Sequence, residues 1–300
     1  MPNVIAVGSV GLDSIKTPFG EVKDELSGTA INFALASSLF TKTGIVSVAG
    51  LDAKKQLDLL TQRNIDTKGL QIVMGKTLRF HCYFEYDMNE AHVTKTELNS
   101  WGSFNPVLPE EYRKARFFFL GAVVPELQMK VFDQMENPEF IVLDTKPMYI
   151  EKSRSKLLEA VSRSTLLLIN EWEARQLFDT PNLQKAAKEA LKLGPKYVII
   201  KKGEHGSLLF SNDSYFVAPG YPLENLIDPT GAGDSYAGAL MGWLSGQGKV
   251  TEPNLRKAMI YAAVVASFTV EDFGMRKLAK VTPEDIERRY QEIKRITCFD

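Results

Sequence analysis

Asp228-Pro229-Thr230-Gly231-Ala232-Gly233-Asp234, followed directly by the helical run Ser235 to Ser245, is the most informative stretch of this 300-residue chain. Gly231, Ala232 and Gly233 carry little or no side chain, so an anion can approach their backbone N–H groups closely. The run that follows predicts a helix start there, where unpaired donors and the helix dipole both favour negative charge. A phosphoryl group in transit is such an anion, and fixed donors stabilise the charge that develops on it. Asp234, in the first turn, can accept a proton from an attacking hydroxyl. Read alone, the same string is also a tight turn followed by a helix-start carboxylate.

Upstream, short apolar runs alternate with helical ones. Asn3 to Val10 reads as a buried strand, Thr29 to Phe40 as a helix opening just after Gly28, Ile45 to Gly50 as a strand and Ala53 to Arg63 as a helix. The alternation resumes with strands Phe117 to Gly121, Phe140 to Asp144, Leu166 to Asn170 and Tyr197 to Lys201. Helices Pro125 to Glu136, Ile150 to Val161 and Leu183 to Leu193 lie between them. Such alternation predicts an α/β fold, a mainly parallel sheet with helices on both faces. Two further strands, Ser207 to Leu209 and Tyr215 to Ala218, precede helices Gly233 to Ser245, Asn254 to Val270 and Pro283 to Ile296. Segments 14–23 and 77–104 break the rhythm: the first is hairpin-like, and the second is aromatic, alternating and without helical period. They are expected to pair into a small β lid on one compact domain spanning 1–300, since no linker or repeat interrupts the chain.

Composition narrows the function. Lys plus Arg (36) nearly balance Asp plus Glu (37), which argues against a general nucleic-acid binder or a polybasic membrane binder. The longest apolar run, Ala258 to Phe268, falls short of the roughly 18 residues of a membrane span. No basic segment precedes the first apolar run, so no signal peptide is expected and the location is read as cytoplasmic. Two distant cysteines, Cys82 and Cys298, exclude a disulfide scaffold.

Three motif-like strings fail on context. Gly69 to Thr77 imitates a phosphate-binding loop with its first glycine one residue too far away and no helix behind it. Asp272-Phe273-Gly274 matches a protein-kinase triplet, but the His-Arg-Asp sequence is missing. His81, His92 and His205 have no partners at zinc-ligand spacing.

The string Asp228-x-Thr-Gly-Ala-Gly-Asp resembles the carboxy-terminal signature of the ribokinase-like (phosphofructokinase B) family of small-molecule kinases, and the resemblance runs along nearly the whole chain. Gly8-Ser9 through Asp13 is similar to the family's opening strand and substrate-binding aspartate. Ser27-Gly28-Thr29-Ala30-Ile31-Asn32-Phe33-Ala34 resembles its first signature, with Ser27 in place of the usual glycine. Asn170-Glu171-Trp172-Glu173 resembles its Asn-x-x-Glu element, and Lys201-Lys202-Gly203-Glu204-His205-Gly206 its nucleotide-contacting loop.

The resemblance implies a three-layer sandwich with a β lid and direct transfer of the γ-phosphoryl group from ATP to a hydroxyl. Asp234 would be the base, and Gly231, Ala232 and Gly233 the anion hole. Asp13, Gly28 and Asn32 would bind substrate, and Asn170, Lys201, Gly203 and Gly206 the nucleotide. Glu173 would hold Mg²⁺ through water, in keeping with that ion's reluctance to dehydrate. Asp228 and Thr230 mark the position where relatives often bind a monovalent cation such as K⁺. Tyr261 stands about where relatives have a small or amide residue near the nucleotide, or it faces the core.

The implied acceptor is a sugar, a sugar derivative or a nucleoside. Phe80, Tyr83, Tyr86 and Trp101 can stack on a base or simply pack the lid, so sugar and nucleoside both stay open. The lid edges and an apolar lid face are suited to a homodimer. A catalytically silent ligand-binding or regulatory protein is the competing class, which retention of Asp234 speaks against.

Overall fold

The protein, described here by a computed structural model covering residues 1–298, is built on two sheets. The amino-terminal part runs β1 (Val4–Val7), β2 (Gly11–Thr17), β3 (Gly20–Ser27), α1 (Thr29–Ser38), β4 (Thr43–Gly50), α2 (Lys54–Gln62) and β5 (Ile65–Val73). It continues with β6 (Leu78–Tyr83), β7 (His92–Glu97) and the short α3 (Glu110–Arg113). The middle part is β8 (Phe117–Leu120), α4 (Pro125–Phe132), β9 (Phe140–Leu143), α5 (Pro147–Lys152), α6 (Arg154–Arg163), β10 (Leu166–Asn170) and α7 (Glu171–Leu177). The chain closes with α8 (Leu183–Leu193), β11 (Tyr197–Lys201), β12 (Ser207–Phe210), β13 (Tyr215–Ala218), α9 (Ala232–Ser245), α10 (Glu252–Thr269) and α11 (Pro283–Ile296).

The large sheet has the order β13-β12-β11-β10-β9-β8-β1-β4-β5 and is parallel except at β12 and β13. Its central strands are covered on both sides, which explains their unbroken apolar sequences. In β8, Phe117 and Phe119 face a core formed with α1, α9 and α10, while Phe118 and Leu120 face one formed with α4 and α6 to α8. No helix among the described residues is long and apolar enough to cross a membrane.

The small sheet has the order β3-β2-β6-β7. Two antiparallel pairs are joined by the parallel pair β2–β6, so both rhythm-breaking segments meet as expected. The strands extend beyond the expected bounds, from Gly11 to Ser27, because the hairpin continues directly out of β1.

Two sequence expectations change, and a third, the rejection of the phosphate-loop string, holds. The helix expected over Ile150 to Val161 is two, α5 and α6, broken at Ser153. The false phosphate loop lies on the parallel strand β5 and the turn after it, and no helix follows. Trp101 sits outside the small sheet, in a 3₁₀ turn (Asn99–Ser103), where it stacks on Phe104 at 4.6 Å.

Candidate active site

In a parallel sheet of this kind, ligands bind beyond the carboxyl ends of the strands. Five features of the sequence gather there. β1 leads through Ser9 into β2 with Asp13; β9, β10 and β11 end at Asp144, Asn170 and Lys201; α9 points its amino terminus at the same edge.

The anion loop is shaped by what lies behind it. Gly231 is the left-handed N-cap of α9 (φ +78°), and a Cβ built there would lie 2.4 Å from Asn32 Nδ2. Asn32 is buried on α1, so the α1 and α9 contact presses the loop onto its amide. Gly233, in the first turn, faces Lys201 Nζ, which would be 3.1 Å from an added Cβ. Ala232 is partly committed, since its N–H donates to Pro229 O at 3.3 Å.

Asp234 follows in that first turn. Burial and the neighbouring Asp144 carboxylate push its pKa up to about 6, while Lys201, Lys146 and an Asn32 hydrogen bond act in the opposite direction. Asp13 is buried on β2 and also raised to about 6, chiefly by burial, with Asp228 and Asp234 adding to the shift. A Ser27 side-chain hydrogen bond and Lys146 oppose it. The departure at Ser27 thus supplies a hydroxyl that holds the Asp13 carboxylate. Gly28 (φ +110°) is required by the chain's own packing, since a Cβ there would sit 2.5 Å from Ser9 O. This packing requirement stands beside the expectation that its smallness serves substrate.

Asn170 and Glu173 form a reciprocal capping box at the start of α7, each side chain accepting the other's backbone N–H at 2.8 Å. This accounts for the spacing in structural terms. It also holds Glu173 buried beside Asp144, and burial followed by that neighbour pushes its pKa up to about 7. Lys201 Nζ lies 3.2 Å from Asp144 Oδ2. Burial alone would lower the ammonium's pKa, but Asp144, Glu173 and Asp234 outweigh it and hold the group charged.

Asp144 and Lys146 are site residues the sequence reading missed. An acidic residue ending an apolar strand looks like any strand-end turn. Its partner Lys201 lies 57 positions away, and only the sheet order brings the two together.

Asp228 is buried and without an ion pair among the described residues. Its oxygens accept Thr230 N–H at 2.9 Å and Gly274 N–H at 3.3 Å. The Asp-Phe-Gly string is therefore a turn, as read, but one that ties down the anion loop. Gly203 opens a 3₁₀ turn (Gly203–His205) after β11, with only Asn89 Oδ1 near, 3.7 Å from an added Cβ. Gly206 ends that turn against Ala218, whose carbonyl would lie 2.1 Å from a Cβ. Tyr261 stacks between Trp243 and Tyr290, with ring centroids 5.2 and 4.5 Å away, and its hydroxyl donates to Glu287. It belongs to an aromatic cluster joining α9, α10 and α11.

The lid aromatics divide. Phe80 shares a side of the small sheet with Asp13, its register partner, and packs with Ile15, Val22, Cys82, Phe84, Met88 and Phe273. Tyr83 stacks on His92 at 4.8 Å on the side of the sheet opposite Cys82, and Tyr86 follows in the turn after β6, 85% exposed.

No preformed metal cage exists among the described residues. The arrangement suits a metal delivered with a nucleotide: Glu173 is held at the cleft with one carboxylate oxygen, Oε2, used by the cap. Chemically, the site brings together several carboxylates, the backbone N–H groups of a helix start and two lysine ammonium groups.

Comparison with known proteins agrees with this geometry. A cytidine kinase of Thermococcus kodakarensis is 30% identical over 248 residues, 80% of this chain and 88% of that protein. A nucleoside kinase of Methanocaldococcus jannaschii superposes with a TM-score of 0.80 over 97% of this chain and 98% of its own at 21% identity. The Burkholderia thailandensis nucleoside kinase in complex with inosine gives 0.78 over 97% and 98% at 17% identity. Residues 5–281 match the model of the pfkB family carbohydrate kinases. That match spans nearly the whole chain, which therefore belongs to that family and is an ATP-dependent small-molecule kinase.

Proposed function

We propose that the acceptor is a nucleoside. The observation that carries this is the apolar underside of the small sheet, where Phe80, Ile15 and Cys82 stand in register beside Asp13. A flat apolar base covers such a surface, while Asp13 and the buried Asn32 take ribose hydroxyls, since a carboxylate accepts and an amide both donates and accepts. A free sugar leaves the half-buried Phe80 ring, in register with Asp13, without a partner. The similarity to a cytidine kinase supports the same reading.

In the reaction, the acceptor hydroxyl gives its proton to Asp234 as its oxygen bonds to the γ-phosphorus. The bond to the ADP oxygen breaks, and no phosphoenzyme forms. The N–H groups of Gly231 to Gly233 hold the transferring oxygens. Lys201 keeps Asp144 neutralised behind them. Catalysis here is positioning and charge stabilisation. Glu173 would hold a Mg²⁺ ion through water, with Asn170 at the same strand end and the Gly203 to Gly206 turn bordering the nucleotide, and the ion would supply positive charge to the phosphates. The buried, unpaired Asp228 carboxylate, with Thr230, fits a monovalent cation such as K⁺.

The small sheet serves as the lid of the single kinase domain and excludes water, which would compete for the phosphoryl group. Tyr83, on the face opposite Cys82, and Tyr86, in the turn after β6, are exposed, which suits pairing of two copies through their lids. ATP supply places this work in the cytoplasm.

A panel of nucleosides and free sugars, with ADP release as the readout, tests the reading. A nucleoside is expected to give the highest kcat/KM. Preference for a free sugar over every nucleoside refutes it.

A further inference from the structure

The cleft contains a second cation beside Lys201, the exposed Lys146. Lys146 follows Asp144 by two residues and is the extended N-cap of α5, so it leaves the large sheet at the edge where Asn170 and Lys201 end their strands. Lys201 is largely buried and committed to Asp144, whereas Lys146 is exposed. Among the described residues Lys146 forms no ion pair and no side-chain hydrogen bond. Its charge still favours ionisation of three carboxylates carried by separate elements: Asp13 on β2, Glu173 on α7 and Asp234 on α9. Those elements border the cleft, and Lys146, exposed just beyond the carboxyl end of β9, stands on the same edge.

We propose that Lys146 is a catalytic residue whose ammonium contacts the γ-phosphoryl group during its transfer. This rests on the kinase reading above. The cleft carries the carboxylates of Asp13, Asp144, Glu173 and Asp234, and the nucleotide adds further negative charge, so a free cation is needed where the phosphoryl group moves. The charge of Lys201 is already balanced by Asp144, and leaving it would strand a buried carboxylate. Transfer spreads charge over three equatorial oxygens that travel from donor to acceptor. The N–H donors of the anion loop are fixed, but a lysine is a compact charge on a flexible stem and can follow. The bond from γ-phosphorus to the ADP oxygen breaks, the bond to the acceptor oxygen forms, and the acceptor proton goes to Asp234. Lys146 keeps its own proton throughout.

The test uses Lys146→Met and Lys146→Arg in the full chain. Steady-state rates give kcat and KM, and calorimetry gives Kd for ADP and for a non-hydrolysable β,γ-imido ATP analogue. For Lys146→Met, kcat is expected to fall about 100-fold, as on losing one transition-state donor. Acceptor KM and ADP affinity stay near wild type, while the analogue loses affinity relative to ADP. Lys146→Arg, which keeps the charge, recovers most of the rate. An unchanged kcat in Lys146→Met overturns the proposal, as does an equal loss of ADP and analogue affinity, which would make Lys146 a general nucleotide anchor. If the wild type phosphorylates no acceptor, the kinase reading fails, while the comparison of analogue with ADP still decides the γ-phosphoryl contact.

Discussion

Replacing Gly231 with alanine tests how the anion loop is held. The new methyl group meets Asn32 Nδ2 at 2.4 Å and Cγ at 2.6 Å, and the residue must keep φ near +78°. The left-handed conformation costs a non-glycine residue roughly 1–2 kcal/mol. Asn32 is buried, so it moves only by disturbing its neighbours, an overpacking cost of about 1–3 kcal/mol. Together these predict a loss of about 2–5 kcal/mol in urea unfolding. The matched control is Gly203→Ala, also left-handed (φ +56°) but with its nearest atom at 3.7 Å. It should lose only the roughly 1–2 kcal/mol of the backbone term. Activity separates the two further. Displacing Asn32 and the loop together removes a hydroxyl contact and shifts the donors, so kcat/KM for the preferred nucleoside should fall by about 10²–10³. Equal unfolding free energies and equal rates for the two variants would refute the idea that contact with Asn32 sets the loop's shape.

Asp234→Asn should lower turnover by about 10²–10⁴ with the fold intact, and near-wild-type turnover would remove Asp234 as the base. For the wild type, kcat/KM should rise with pH through about 6 as Asp234 ionises. Stability should move the other way. Asp234 and Asp13 titrate at about 6 in the fold against 3.8 ordinarily, so the folded state binds more protons between those values and loses stability as pH rises across them. Melts across that window check the sign. Glu173→Gln keeps an acceptor for the capping box, so α7 should survive while the Mg²⁺ concentration for half-maximal rate rises; an unchanged metal titration would exclude Glu173 from metal binding.

The parts of this protein that could be read from sequence are those whose signal is local. Gly231 to Asp234 followed by a helical run announces a helix start with open donors, and the unbroken apolar strands announce a sheet covered on both faces. Asn170 and Glu173 were legible as a spacing, although that spacing serves a helix cap as much as a ligand. The Asp144–Lys201 pair was not legible, because β9 and β11 become near neighbours only through β10. The role of Lys146 depends on charges from β2, α7 and α9, and no window of sequence contains them. Tyr261 and Trp101 stayed open for the same reason: an aromatic side chain does not announce its partner, and theirs are Trp243 and Tyr290 for the one and Phe104 for the other.

The floor beneath the small sheet comes late in the chain. Phe273, Leu226 and Ile227 pack under strands made from the first hundred residues, and Arg276 reaches back to Glu25 across 251 positions. During synthesis, therefore, β2, β3, β6 and β7 are complete long before anything covers their apolar side. Ile15, Val22, Cys82, Phe84 and Met88 stay open to water, to chaperones and to other nascent chains until almost the whole protein has left the ribosome. A ribosome stalled before Phe273 would display a sticky half-enzyme, and final maturation of the catalytic cleft is tied to completion of the carboxy-terminal turn.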